Sequence, residues 1–485
     1  MVLVVVGLVL ANACTFGTDA PATPLESAGL GGWVAEPLDW GPCEDVAGVE
    51  CATLKVPLDW DAPQGTTTDL VLGRTRATGD RVGALLTNPG GPGGSGLQFL
   101  FAEPFGPDIT SRFDIVSWDP RGVGASSSLN CDAHVDEFLA NDPSPDDPTE
   151  QSALDDDAER IADDCANSSG GLVANIGTDD VARDVEAIRT ALGERSISFM
   201  GFSYGTLIGL RYLDLFPDTT RALVLDGVVD PTQNLSEWLA DQTVAIDASI
   251  RRALDACDDE PACPLDDPQA DFDELQRRVE SAPIRSGDDD ASGGDDKADR
   301  LGPARFETGA VFASYEPAVW PDLWAAIADG LDGDGTAMSD LASQYYDLGG
   351  YTAYAAVECI DSEHPTGPEE YRAFADNLRA LSPRIGGSVA NELLPCAFWP
   401  TPPTSIIGEV NGDGGPPVLV LGNRGDAATP YENSTKVASM LSDGHLVSYD
   451  GEGHTGYGRS ACVDDAVLAY LVDLEVPPSD PNCGR

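Results

Sequence analysis

Basic residues are scarce in this 485-residue chain: 27 Lys and Arg stand against 83 Asp and Glu, a formal net charge of −56. Only Lys55, Lys297 and Lys436 are lysines. A surface of that sign repels phosphates, which excludes nucleic acid and anionic lipid headgroups as partners. No apolar run approaches 18 residues, so no bilayer-spanning helix is expected. Paired CxxC motifs and histidines at metal-ligand spacing are also missing, which argues against a zinc site. The phosphate loop GxxxxGK[ST] is absent as well. Nothing in the sequence calls for a metal or a cofactor, and there is no internal repeat. The acid excess fits a solvating face adapted to concentrated salt, where self-repulsion is screened. Attraction of cationic ligands is the alternative, but the acids are spread along the whole chain.

What remains has the composition of a globular protein: 42% hydrophobic residues, with 8 Trp, 12 Tyr and 14 Phe. Residues 1–14 read as an export signal, because the apolar run Val2–Ala11 is too short to cross a membrane but fits the core of a signal peptide. Ala13-Cys14 is similar to a degenerate bacterial lipobox, in which Cys14 would carry the lipid; simple secretion is the alternative. A flexible lead, 15–42, follows. Setting Cys14 aside leaves ten cysteines, and taking the shortest loops pairs 43–51, 131–165, 257–263, 359–396 and 462–483. That arithmetic fits an oxidising compartment, secreted or in the cell envelope, with membrane contact only through a possible N-terminal lipid.

Strand-like runs open at Cys51–Leu58 and Asp69–Leu72. From Val82 the rhythm becomes strand, glycine turn, helix, with strands expected at Val82–Thr87, Asp114–Trp118, Ser196–Met200, Ala222–Leu225, Val418–Leu421 and Leu446–Tyr449. Alternation of this kind predicts an α/β fold with a mostly parallel sheet flanked by helices. The core spans 43–230 and 416–485. Between them, 231–415 reads as a large inserted helical cap carrying a disordered acidic loop at 286–300.

The chemistry lies at the turns. Gly201-Phe-Ser203-Tyr-Gly205 follows a strand and precedes a helix, the setting of a nucleophile elbow. Asn88-Pro-Gly-Gly-Pro-Gly-Gly-Ser-Gly96 follows another strand and reads as an oxyanion loop, with Gly91 supplying one backbone donor and Tyr204 the other. Asp426 and His454 each lie just past a late strand. The chain order Ser203, Asp426, His454 is the one expected of an α/β-hydrolase triad. The turn Asp119-Pro-Arg121-Gly is assigned a structural part and no chemistry. Glu358 and Asp361, in the cap segment YTAYAAVECID, are candidate carboxylates for a substrate's free ammonium.

The motifs NPGGPGGSG, DPRGVGAS, GFSYGT, LVLDGVVDP, GNRGDAATP and GEGH, in that order, resemble the bacterial tripeptidyl aminopeptidase branch of the α/β-hydrolases, relatives of the proline iminopeptidases. The resemblance runs from about Cys43 to Cys483. It implies an α/β-hydrolase fold, a secreted or cell-envelope serine exopeptidase acting on peptide substrates without a cofactor, a Ser203/Asp426/His454 triad and oxyanion donors at Gly91 and Tyr204. PGGPG stands where proline iminopeptidases carry HGGPG, and the Phe-Ser-Tyr elbow replaces their Trp-containing form. A carboxylesterase or lipase-like enzyme would use the same triad, and a surface binding module would need none of it.

If the acidity is salt adaptation, the thermal midpoint should rise between about 0.1 and 1 M salt, as the screening length falls from about 10 to 3 Å. A midpoint indifferent to salt in scanning calorimetry would turn attention to cationic ligands.

Overall fold

The computed structural model describes residue 25 and residues 27–44, 46–287, 300–347 and 349–484. The expected export signal, Cys14 and all of the acidic run but Ser286, Gly287 and Arg300 lie outside the described residues. The strands are β1 (Gly41–Pro42), β2 (Glu50–Pro57), β3 (Thr67–Thr75), β4 (Gly83–Asn88), β5 (Phe113–Trp118), β6 (Ile197–Phe202), β7 (Thr220–Asp226), β8 (Ile284–Arg285), β9 (Arg300–Leu301), β10 (Val418–Gly425), β11 (Gly444–Glu452) and β12 (Asn482–Cys483). Ten of them form one sheet in the order β1-β2-β3-β5-β4-β6-β7-β10-β11-β12. The β1–β3 edge pairs antiparallel and joins β5 antiparallel; every pairing from β5 onward is parallel.

Parallel strands covered on both faces are apolar at most positions, which is why β4 and β6 read as predominantly hydrophobic runs. Each is buried along its whole length. Alternate residues serve opposite layers. Leu86, Val116, Phe199, Leu223 and Val420 face one cluster, while Leu85, Ile115, Met200, Val224 and Leu419 face the other. The helix Thr178–Leu192 buries Val181, Val185 and Ile188 and stops at Gly193, whose φ of 72° closes the last turn.

The expected flexible lead does not hold beyond its first half. Leu30 and Leu38 are buried, the Trp33 and Trp60 rings meet edge to face at 5.5 Å, and the Arg74 guanidinium lies 4.0 Å over Trp40. The Pro and Gly content of this stretch masks enough apolar surface to dock it. The acidic loop is likewise narrower than 286–300, because Arg300 pairs with Arg285 in the β8–β9 ribbon.

β7 and β10 are hydrogen-bonded parallel neighbours, with Leu223 opposite Val418. The whole segment 227–417 leaves and re-enters the sheet between them, and its main elements are helices, among them Leu235–Asp259, Pro303–Tyr315 and Tyr351–Asp361. The five cystines pair as the shortest loops predict, and Cys359–Cys396 ties the helix Tyr351–Asp361 to the cap's last turn. No helix among the described residues is long and apolar enough to cross a membrane.

Loss of a native disulfide commonly costs about 2–5 kcal/mol. Reductant should therefore lower the thermal midpoint, and intact mass without reductant should show those ten cysteines oxidised. Free thiols among the ten would refute the pairing.

Candidate active site

The turn from β6 into the helix Gly205–Leu215 is tight enough to exclude side chains on both sides of Ser203. A Cβ on Gly201 would fall 2.2 Å from the Gly205 carbonyl oxygen, and one on Gly205 would fall 2.5 Å from that of Asn88. Ser203 itself sits at φ 54°, a left-handed conformation that costs a non-glycine residue about 1–2 kcal/mol. Neighbouring groups hold it there. Its N–H donates to the Asp226 carbonyl at 2.9 Å, and its carbonyl accepts from the Thr206 N–H at 2.9 Å and the Thr206 hydroxyl at 2.6 Å.

The glycine-rich loop after β4 lies directly against this turn. A Cβ on Gly90 would come 2.8 Å from the Tyr204 nitrogen and 2.9 Å from Ser203 Cβ, so only glycine allows the approach. Among the described residues, no acceptor takes up the N–H of Gly91 or of Tyr204. Both residues line the cavity that Ser203 enters. Two open donors beside a serine oxygen can stabilise an oxyanion.

Asp426, at the end of β10, is buried and accepts from the backbone N–H groups of Ala428 (2.9 Å), Thr429 (2.8 Å) and Thr455 (3.0 Å). Both its oxygens stand 2.9 Å from His454 Nδ1. A carboxylate can only accept, so Nδ1 carries the proton and Nε2 keeps its lone pair. Burial pulls the imidazole pKa down, but the charge and hydrogen bond of Asp426, with a smaller push from Asp226, leave it above the usual value. The cap takes part here, since the His454 N–H donates to the Tyr315 carbonyl at 2.7 Å and the two rings lie 5.8 Å apart.

Ser203 and His454 open into one cavity of about 530 Å³ whose far wall is built by the cap. The alpha/beta hydrolase fold profile matches residues 83–325, and the TAP-like protein profile matches residues 382–483. Serine protease Hip1 of Mycobacterium tuberculosis is 31% identical over 93% of this chain and 91% of its own. The chain belongs to the TAP-like α/β-hydrolases. Carboxylesterase B of Mycobacterium tuberculosis is 34% identical, covering 93% of this chain and 90% of its own. The tripeptidyl aminopeptidase of Streptomyces lividans is 30% identical, covering 92% and 86%. The protein is thus a serine hydrolase by family.

In this TAP-like hydrolase the two cap carboxylates predicted for an ammonium part ways. Glu358 is buried and lines the cavity, and its carboxyl has no hydrogen-bond partner among the described residues; burial, with Asp361 and Glu392 nearby, pushes its pKa well above the carboxylate range. Asp361 also reaches the cavity wall, but its oxygens are taken. It accepts from the Thr178 N–H at 2.9 Å, from the Thr178 hydroxyl and from the Tyr204 hydroxyl at 3.1 Å. Unlike Glu358, Asp361 is thus bonded within the protein while also bordering the cavity. Glu392, which the sequence did not single out, takes its place beside Glu358. It lines the cavity, accepts from the Tyr345 hydroxyl at 3.2 Å and is pushed by burial to about 7.

Asp226 was overlooked too, although LVLDGVVDP contains it. While its carbonyl holds Ser203, its carboxylate accepts from the Gly456 and Tyr457 N–H groups at 2.8 and 2.9 Å, which joins the elbow to the histidine loop. Burial raises it to about 6. Asp119 and Arg121 are structural. Asp119 accepts from the Ser95 hydroxyl (2.6 Å) and the N–H groups of Leu97 and Ala125, and Arg121 makes a fully buried pair with Asp184 at 2.7 Å. Asp146, Asp147 and Glu150 bring carboxylate oxygens within 4.8 Å of one another, yet Asp147 and Glu150 are already engaged as a helix capping box.

Replacement Ser203→Ala should abolish both turnover and covalent labelling by a fluorophosphonate while the thermal midpoint holds. Loss of the triad's nucleophile removes on the order of a million-fold in rate. Persistent labelling would move the nucleophile elsewhere.

Proposed function

We propose that this hydrolase is an aminopeptidase that releases short peptides, tripeptides among them, from free N-termini of peptide substrates outside the cytoplasm. The observation that carries the reading is a pair of carboxyls, the buried Glu358 and the half-buried Glu392, in the wall of the cavity that holds Ser203 and His454. No Lys or Arg is among the described residues lining that cavity. Burying carboxyls together without a cation is unfavourable, and a substrate ammonium supplies the missing charge. The relatives named serine protease and tripeptidyl aminopeptidase support the same reading. The five cystines and the apolar N-terminal run support export, with Cys14 as the residue a lipid anchor would use.

In this mechanism Ser203 Oγ attacks the scissile carbonyl carbon as His454 Nε2 takes its proton, and Asp426 stabilises the imidazolium. The carbonyl oxygen becomes an oxyanion between the N–H groups of Gly91 and Tyr204. His454 then hands the proton to the leaving nitrogen, the C–N bond breaks and an acyl-Ser203 ester remains. Water, deprotonated by the same imidazole, cleaves that ester and restores the serine. The cap carboxyls act before chemistry, fixing how far the chain's first residue lies from Ser203. The carboxylesterase relative favours a second reading, in which the same triad acts on esters and the cap carboxyls stay protonated.

A panel of free-amine tripeptide anilides, their N-acetyl forms and short neutral esters separates the two. Only the free-amine anilides should be cleaved efficiently among the peptides. Glu358→Gln or Glu392→Gln should lower kcat/KM on them by at least about tenfold, since losing a buried charged partner costs about 2–5 kcal/mol, while esters are spared. Equal cleavage of acetylated and free peptides would favour the second reading.

A further inference from the structure

Asp361 lies on the same cap helix as Glu358, yet the bonds it makes point into the core rather than to a ligand. Two of its partners belong to the start of the helix Thr178–Leu192, where Gly177 at the N-cap position offers no side chain to the first N–H groups. A Cβ on Gly177 would fall 2.8 Å from Asp361 Oδ1, so a capping side chain would collide with the one that takes its place. Ser405 adds a side-chain bond, and a further partner is the hydroxyl of Tyr204, the residue after the nucleophile. The Tyr204 ring is buried and its hydroxyl also touches that of Thr178. At its other end Tyr204 is fixed by the elbow helix, where its carbonyl accepts from the Leu207 N–H at 2.9 Å. Ser203 precedes it at φ 54°, a conformation that persists only where the surroundings over-determine it.

We infer that Asp361 is a positioning residue which, through the Tyr204 hydroxyl, fixes the Ser203–Tyr204 peptide unit and so aims the Tyr204 N–H at the developing oxyanion. The cap thereby sets part of the oxyanion site. Burial pushes the Asp361 carboxyl up to about 6 while bonds from Thr178, Ser405 and Tyr204 pull the other way, which fits a group held by donors on three residues. The inference rests on the serine-hydrolase reading of this cavity but not on the choice between peptide and ester.

Tyr204→Phe is the cleanest test, because it deletes one hydroxyl and leaves the Asp361–Thr178 bonds in place. Removing an oxyanion donor outright costs about 10²–10³ in kcat, so loosening one should cost about tenfold. Kcat should fall by the same factor on a neutral ester and on a free-amine tripeptide anilide, with KM unchanged. A neutral trifluoromethyl ketone, whose adduct bears the oxyanion, should lose affinity by that factor too, while fluorophosphonate still labels one serine per chain. Asp361→Ala should lower ester kcat further, and Asp361→Asn should restore part of the loss. Wild-type ester kcat and ketone affinity in Tyr204→Phe would overturn the proposal whether or not the Asp361 variants fold. So would an Asp361→Asn variant that raises KM on free-amine peptides alone, since Asp361 would then be reading the ammonium. Failure of the underlying reading looks different: the wild type would hydrolyse neither substrate, or Ser203→Ala would still label.

Discussion

The sharp turn between β6 and the helix Gly205–Leu215 is the constraint to which the surrounding residues answer. Holding a serine in a left-handed conformation is unfavourable, and only contacts from several directions keep it there. β4 supplies one, through the close approach of Asn88 and Gly90 to the turn. β7 supplies another, through the Asp226 carbonyl on the Ser203 N–H. The cap supplies the third, through Asp361 on Tyr204. The histidine loop is fixed by the same logic: Asp226 and Asp426 hold its backbone from the core, and the Tyr315 carbonyl holds it from the cap. Ser203 and His454 thus sit on separate loops joined through Asp226 in the core and each held by its own contact from the cap.

Charge is divided between surface and interior in an uneven way. Acids at the surface are solvated by water, but Glu358 in the cavity wall is buried and has lost most of it. The chain spends its few arginines elsewhere: Arg121 neutralises Asp184, and Arg189 pairs with Glu186, both inside the core. The described cavity wall receives none, and burial raises the pKa of both Glu358 and Glu392.

The sheet and its turns were legible in the sequence because they rest on local signals. Parallel strands appear as short apolar runs, the elbow as two glycines around a serine, and the late acid and base as residues just past strand ends. The fate of the cap carboxyls was not legible. Glu358 and Asp361 stand three residues apart on one helix face and look equivalent. What separates them is contact with Thr178 and Tyr204, 183 and 157 residues away, which leaves no trace in spacing. Glu392 carried no motif, being one acid among many near the end of a short helix. Asp226 sat in a motif just past an expected strand and was not singled out, since its hydrogen bonds run to a loop that closes 230 residues later. The lead was misjudged for the opposite reason: its turn-rich composition hid Leu30, Trp33 and Trp40, whose anchors become visible only against β3 and Trp60.

The exit and return of the cap on two adjacent strands has a consequence for how such an enzyme can change. Neighbouring strands lie about 4.8 Å apart, so to the sheet the segment 227–417 is a single loop with its ends already together. Enlarging, trimming or exchanging a loop closed in that way adds little closure entropy and disturbs no strand register, because each doubling in length costs only about 0.6 kcal/mol. The pocket that selects a substrate can therefore drift in size and charge while the reacting groups stay where they are. Asp361 and the Tyr315 carbonyl mark the limit of that freedom, since any replacement cap must still present an acceptor at those two places.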